Sequence, residues 1–240
     1  MENLLDLQFL IESIPYILAR LPITLGIAVG SLTLSLVIGL GTALIKIYRV
    51  PVLRVITSVY VSFVRGTPLL VQLYLVFYGI PKVIYFLQRE QGWLLGLDVN
   101  LIAPEVYALL AFSFNLGAYL SETIRSAIES VDRGQFEAAK AIGMKPTQMM
   151  LKIIFPQALI VAIPNLGNMF ITTIKDTSLV FIIGVIDIMG QAKILGSRGL
   201  AFFEVYIAVS IIYWIVCLMV ERVLVIIEKR ARRYERGIAS

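Results

Sequence analysis

Long apolar runs alternate with short polar connections along the whole chain. Several runs are about as long as the roughly 20 residues that an α-helix needs to cross the hydrocarbon core of a bilayer. We predict five membrane-spanning helices, at approximately residues 23–45, 55–80, 104–124, 157–182 and 203–227. The second run is interrupted by the sequence Arg65-Gly66-Thr67-Pro68. The pattern therefore predicts an all-α integral membrane protein.

The composition agrees with this prediction. Of the 240 residues, 59% are hydrophobic and 15% are charged, whereas about a quarter of the residues in soluble domains are charged. The chain has no His and a single cysteine, Cys217, which excludes imidazole metal sites and an internal disulfide. Acidic residues occupy the N-terminus, where a signal peptide would carry basic ones, so we expect no cleavable signal.

The net charge of +5 is located mainly in short connections between the apolar runs. This location indicates a membrane topology and a lipid bilayer as partner, and argues against a nucleic acid. The basic residues cluster in the first connection, the third connection and the C-terminal tail: Lys46, Arg49 and Arg54; Arg125, Arg133, Lys140, Lys145 and Lys152; Lys229, Arg230, Arg232, Arg233 and Arg236. Basic connections face the cytoplasm, which predicts an outside N-terminus and a cytoplasmic C-terminus.

The third connection contains the polar stretch EAAKAIGMKPTQMMLKIIFP, residues 137–156. We predict a helix of about two turns from Glu137 to Met144, loosened by Gly143, and a second helix starting at Pro146. Met149 and the apolar residues after it recur at helical spacing, as in an interfacial segment. These features alone fit an ordinary helical hairpin between spans equally well.

The spacing of this stretch resembles the EAA loop of ABC importer membrane subunits. Glu137-Ala138-Ala139, Gly143, Ile153 and Phe155-Pro156 follow that pattern, with Phe155 in place of its Leu. The segments LPITLGIA (21–28), RGTPLLVQ (65–72) and KDTSL (175–179) are similar to the polar amino-acid branch of the family. The resemblance covers roughly residues 15–230 and implies the type-1 transmembrane fold of these importers, in the cell membrane of a bacterium.

The resemblance also implies partners. Glu137, Ala138, Ala139 and Gly143 would dock into a groove of a cytoplasmic ATPase and transmit its closure to the spans. Two such ATPase subunits would carry ATP and Mg, because nothing in this chain matches the phosphate-binding pattern GxxxxGK[ST]. A second permease, identical or paralogous, and an extracytoplasmic substrate-binding protein complete the implied assembly. We expect no cofactor on this chain and no enzymatic activity of its own.

The topology divides the chain into three parts. Residues 1–20 form an extracytoplasmic N-terminal segment, and residues 229–240 form a basic cytoplasmic tail. Between them, residues 21–228 form the transmembrane domain, with the coupling loop at about 133–156.

A candidate substrate site lies at the interruption of the second span. Thr67 followed by Pro68 predicts an N-cap and a first helical residue, so a helix restarts inside the membrane. The free amides of Leu69 and Leu70 would then favour a carboxylate. The alternative is a simple kink, with Arg65 reaching the inner headgroups.

The fourth span carries a polar face. Asn165, Asn168, Thr172 and Asp176 are spaced by 3, 4 and 4 residues, which places them on one side of a helix that should face the bundle interior. Asp176 would hold a substrate ammonium or serve as a structural ion-pair partner. Lys175 points elsewhere, to the headgroups or to another span.

The third span adds Asn115, Tyr119 and Glu122, at spacings of 4 and 3 residues. These side chains either contact the ligand or form hydrogen bonds between helices. On the first span, Gly26 and Gly30 form a small-residue patch that we interpret as helix packing.

Met169 lies on the same face as Asp176, seven residues before it. Relatives that carry basic amino acids typically have an acidic residue there, so the resemblance argues against arginine or lysine and favours L-cystine or a related sulfur-containing amino acid. One alternative is a secondary transporter that uses Asp176 and Lys175 as a proton or ion relay. A membrane-embedded enzyme using that pair and Glu122 is a further alternative.

Overall fold

The computed structural model describes the backbone of residues 5–238 and the side chains of residues 5–231. This part of the chain is helical and contains no strand. Most of the predicted basic tail, 229–240, lies outside the described side chains. The helices are α1 (Leu7–Leu18), α2 (Leu21–Ile47), α3 (Leu53–Gly66), α4 (Leu69–Gln91), α5 (Pro104–Glu129), α6 (Arg133–Ala141), α7 (Pro146–Met149), α8 (Phe155–Asp176), α9 (Ile188–Gly199) and α10 (Phe202–Ile238).

Four helical segments of the described chain are long and apolar enough to cross a membrane. They are Leu21–Ile47, Leu69–Gln91, Pro146–Ile183 and Phe202–Ala231. Helix α5, which we predicted as the third span, is long enough but is not among them. It is the central helix, packed against α2, α3, α4 and α8, and enclosure by other helices allows it to carry polar residues such as Ser113 and Ser121.

The apolar segment that contains the predicted fourth span is longer than the sequence suggests. It starts at Pro146 with α7 and continues through one turn of π-helix, Met150–Ile154, into α8. A 3₁₀ segment, Thr177–Ile183, extends it to Gly184, which ends it with φ +92°. The predicted N-terminal segment contains α1, which packs against α9 and α10.

The first helix of the third connection is displaced from its predicted position. We predicted Glu137–Met144, whereas α6 spans Arg133–Ala141. It starts early because the Asp132 side chain accepts a hydrogen bond from the Gly134 amide at 2.6 Å and caps the helix. It ends early because Gly143 adopts φ +76°, the left-handed conformation that favours glycine. The predicted start of the next helix at Pro146 is confirmed.

Helices α2 and α5 pack closely along a seam of small residues. A Cβ atom added to Gly39 would lie 2.9 Å from Leu120 Cβ and 3.2 Å from the Gly117 carbonyl oxygen. A Cβ added to Gly117 would lie 2.8 Å from Ile38 Cγ2. This close packing determines the position of α5 relative to α2. Helix α5 forms one wall of the candidate site.

Candidate substrate cavity and coupling hairpin

A cavity of about 520 Å³ lies where the start of α4 meets α5 and α8. The structure brings nine of the ten predicted substrate residues to its wall: Thr67, Leu69, Asn115, Tyr119, Asn165, Asn168, Met169, Thr172 and Asp176. Leu70 does not line it. Residues that are far apart in sequence therefore converge on one space, as a ligand site requires.

The interruption between α3 and α4 is a true helix break, but Thr67 is not the N-cap of α4. Its hydroxyl donates to the Phe63 carbonyl of α3 at 2.9 Å, so the predicted capping role is wrong. Pro68 immediately precedes α4, and no side chain caps the helix. The first helical hydrogen bonds run from Val71 and Gln72 to the Pro68 carbonyl, which leaves the amides of Leu69 and Leu70 ahead of the bonded turns.

Gln72 supports this break from within α4. The residue is only 7% exposed. Its Nε2 donates to the Val64 carbonyl at 2.8 Å, the Thr67 carbonyl at 3.0 Å and the Thr67 hydroxyl at 2.9 Å. Its Oε1 accepts from Asn115 Nδ2 at 2.9 Å. One side chain thus ties α3, α4 and α5 together at the cavity.

The α8 wall carries Asn165, Met169 and Asp176. Asn165 Nδ2 donates to the Thr123 hydroxyl of α5 at 3.0 Å. That hydroxyl in turn donates to Met169 Sδ at 3.8 Å. Asp176 forms no ion pair within 4 Å among the described side chains. The neighbouring Lys175 is exposed and does not line the cavity. Asp176 is therefore available to a ligand cation.

A second polar groove adjoins the cavity and shares Tyr119, Asn165 and Met169 with it. Arg65 lies over the Tyr119 ring, 5.7 Å from its centroid. Glu122 also lines the groove, but its carboxylate is engaged by Lys46 at 2.6 Å and by Arg125 at 2.8 Å. Glu122 is thus an anchor between α2 and α5 rather than a free ligand group.

The predicted coupling residues lie on a hairpin formed by α6, α7 and the π turn. Glu137, Ala138 and Gly143 are exposed. Ala139 is 1% exposed and packs into a cluster with Met149 and Ile154. Three of the four residues are thus open to a partner, and the fourth holds the hairpin together.

Two further residues of the cavity and the hairpin were not singled out from the sequence. Gln72 is an amide in the first turn of an apolar helix, and the cost of burying an amide without partners, roughly 1–3 kcal/mol, was a signal that it is bonded. Ile142 is 77% exposed at the tip of the hairpin. The sequence carries no specific signal for Ile142, because single exposed apolar side chains are common on protein surfaces.

Comparison with known proteins places this architecture. A family model described as a binding-protein-dependent transport system inner membrane component matches residues 35–233. The L-cystine transport system permease protein TcyL of Bacillus subtilis (strain 168) is 40% identical over 240 residues, which cover 100% of this chain and 97% of that protein. The L-cystine transport system permease protein TcyB of the same organism is 41% identical over 212 residues, 88% of this chain and 84% of that protein.

A solved structure of an amino acid ABC transporter indicates the same family as both relatives. The crystal structure of an amino acid ABC transporter with histidines superposes with a TM-score of 0.82 at 32% sequence identity, covering 95% of this chain and 100% of that chain. The residues that the family model matches, 35–233, include the helix break, both walls of the cavity and the coupling hairpin. The chain therefore belongs to the family of binding-protein-dependent transport system inner membrane components, as a multi-pass permease subunit of an amino-acid ABC importer in the plasma membrane.

Proposed function

We propose that this permease conducts a zwitterionic polar amino acid, L-cystine or a related sulfur-containing amino acid, through the cavity between α4, α5 and α8. The chain crosses the membrane five times, with α3 and α4 together as the second crossing and α5 as the third. The N-terminus lies outside and the C-terminus in the cytoplasm, as the positions of the basic connections indicate.

The observation that carries this proposal is that Asp176 and the uncapped start of α4 line the same cavity. A carboxylate without an ion-pair partner attracts an ammonium group. Free amides at a helix N-terminus favour a carboxylate, because they add hydrogen-bond donors to the positive end of the helix dipole. Together they match the two charges that every amino acid carries at its α-carbon.

The identity of residue 169 supports a substrate without a net positive charge. Met169 lines the cavity on the same wall as Asp176, so Asp176 is the one acidic residue of this pair of positions. If Asp176 binds the α-ammonium group, this wall offers no second carboxylate to a cationic substrate side chain. The relatives TcyL and TcyB are L-cystine transport system permease proteins, which agrees with this choice.

The remaining machinery belongs to partners. Two cytoplasmic ATPase subunits bind ATP and Mg and dock on the hairpin through Glu137, Ala138 and Ile142, which are exposed. A second permease, identical or paralogous, completes the translocation pathway, and an extracytoplasmic binding protein delivers the substrate. ATP-driven closure of the ATPases then switches the spans between outward-facing and inward-facing states.

The test is Asp176→Asn in the reconstituted complex, with Lys175→Gln as control. Asparagine keeps the size but removes the charge, and a hydrogen bond to a charged group contributes roughly 1.5–3 kcal/mol. Affinity of the membrane site for L-cystine should fall by about one to two decades, whereas Lys175→Gln should bind like wild type. Met169→Glu should admit L-arginine. If Asp176→Asn imports L-cystine normally but assembles poorly, Asp176 is structural and the assignment is wrong.

A further inference from the structure

Gln72 can occupy its place in only one orientation. The carbonyl oxygens of Val64 and Thr67 are acceptors, so the NH2 end of the amide must face them. The oxygen end of Gln72 consequently faces Asn115, and only the donor nitrogen of Asn115 can meet it. The two backbone carbonyls therefore determine the orientation of both amides.

The consequence for the cavity concerns Asn115 Oδ1. One N–H of Asn115 is committed to Gln72, and the side-chain oxygen of Asn115 accepts no hydrogen bond from the side chains and backbone that the structure describes. Asn115 lines the cavity. Its oxygen is therefore free to accept a hydrogen bond from a ligand.

The same reasoning applies to Asn165 on the opposite wall. A thioether sulfur accepts hydrogen bonds but has none to donate, so the Thr123 hydroxyl donates to Met169 Sδ. The hydroxyl oxygen then accepts from Asn165 Nδ2. Asn165 also keeps its oxygen for the cavity.

We infer that Gln72 is a positioning residue, which holds Asn115 with its oxygen toward the cavity and so makes the α5 wall a hydrogen-bond acceptor. This inference rests on the proposed function of the cavity. Asn115, Asn165 and Asp176 then all present oxygen atoms, whereas the start of α4 presents amides. An amino acid fits in one orientation, with its ammonium between α5 and α8 and its carboxylate toward Leu69.

A double-mutant cycle on the full complex tests this role. Gln72→Met, Asn115→Ala and the double variant are compared for binding of L-cystine to the permease–ATPase complex, or of L-glutamine if the wild type does not import L-cystine. Each single change should weaken affinity about tenfold, or 1.4 kcal/mol. The double variant should be no weaker, because both changes remove one shared contact. Additive losses of about a hundredfold would overturn the inference.

Asn115→Asp tests the same point with Gln72 unchanged, so the result stands even if Gln72→Met fails to assemble. A carboxylate is nearly the same size as the amide but has no proton to donate to Gln72 Oε1. Affinity should therefore fall about tenfold or more. If position 115 needed only an acceptor for the ammonium, Asn115→Asp would bind as tightly as wild type or tighter, and Gln72 would have no positioning role.

Asp176→Asn separates this inference from the proposed function. If that variant binds normally, the cavity is not the ligand site and both conclusions fail. If Asp176→Asn weakens binding while the changes at Gln72 and Asn115 leave it unaltered, only the positioning role is wrong. Thermal unfolding of each assembled variant shows whether a loss of affinity follows a loss of fold.

Discussion

The close seam between α2 and α5 predicts how replacement of three α2 glycines by alanine changes the stability of the protein. Gly39, Gly30 and Gly41 all lie within α2, so replacement of each by alanine makes the same chemical change in the same helix. Their surroundings differ. A Cβ at Gly41 would meet nothing within 4 Å, and one at Gly30 would lie 2.8 Å from the end of the Leu109 side chain.

At Gly39 the obstacle is rigid. The added Cβ would lie 2.9 Å from Leu120 Cβ and 3.2 Å from two backbone atoms, the Gly117 carbonyl oxygen and the Ser121 amide nitrogen. Ordinary carbon contacts are about 3.5–4.0 Å. None of these atoms can rotate away, so relief requires α2 and α5 to separate. Leu109 can instead change rotamer, so Gly30→Ala should cost far less.

The magnitude follows from two opposing contributions. Alanine is favoured over glycine inside a helix by roughly 1 kcal/mol, and this gain is common to all three variants. Overpacking of a close-packed interface costs roughly 1–3 kcal/mol, and this cost applies fully only at Gly39. We therefore expect Gly39→Ala to be about 1–3 kcal/mol less stable than Gly41→Ala, with Gly30→Ala between them.

Thermal unfolding of the purified complex in detergent measures this order. For chains of this size a loss of 1 kcal/mol lowers the midpoint by about 2–4 °C, so the gap between Gly39→Ala and Gly41→Ala should be at least about 2 °C. Gly39→Ala should also weaken ligand binding, because α5 carries Asn115 and Tyr119 to the cavity. If Gly39→Ala and Gly41→Ala unfold together, the seam does not constrain α5 and this reasoning fails.

Three further predictions concern the partner surface, the helix break and the topology. Glu137→Lys should lower stimulation of ATPase activity by loaded binding protein without loss of assembly, whereas Gln135→Lys on the same exposed helix should not; equal stimulation in both would exclude the coupling role. Thr67→Val should reduce transport less than threefold, because Gln72 retains two carbonyl acceptors; a loss as large as that of Gln72→Met would contradict this. Ile142→Cys, in a Cys217→Ser background and in the permease without its ATPase subunits, should react with a membrane-impermeant thiol reagent only from the cytoplasmic side; labelling from outside would show that the topology is the reverse.

The features that the sequence predicts best are those with a local cause. Gly66 to Pro68 break the helix, Gly143 ends a turn and Pro146 starts a helix, because each depends on the backbone preferences of a few adjacent residues. The polar face of α8 was predictable for a related reason. Helical periodicity alone places Asn165 and Asp176 on one side.

The features that were missed depend on partners far along the chain. Thr67 fits an N-cap by local rules, but Gln72 and the Phe63 carbonyl engage its hydroxyl instead. Gly26 and Gly39 look alike in the sequence, yet only Gly39 meets α5. Helix α5 itself is less apolar than a lipid-facing span because its neighbours are other helices. Enclosure by other elements is a tertiary property that no local pattern reports.

The packing of the hairpin explains how a partner at Glu137 can act on a distant cavity. Ala139 of α6 lies in one apolar cluster with Ala127 and Ile128 of α5 and with Ala158 and Ala162 of α8, and these two helices form the cavity walls. The π turn joins α7 to α8 without a loop, so α7 of the hairpin and the α8 wall are one continuous helical segment. Close-packed elements of this kind move as bodies rather than deform. A displacement imposed on α6 should therefore shift α5 and α8 relative to α4. This shift would change the distance between Asp176 and the free amides of α4, which we propose to bind the two charged ends of the ligand.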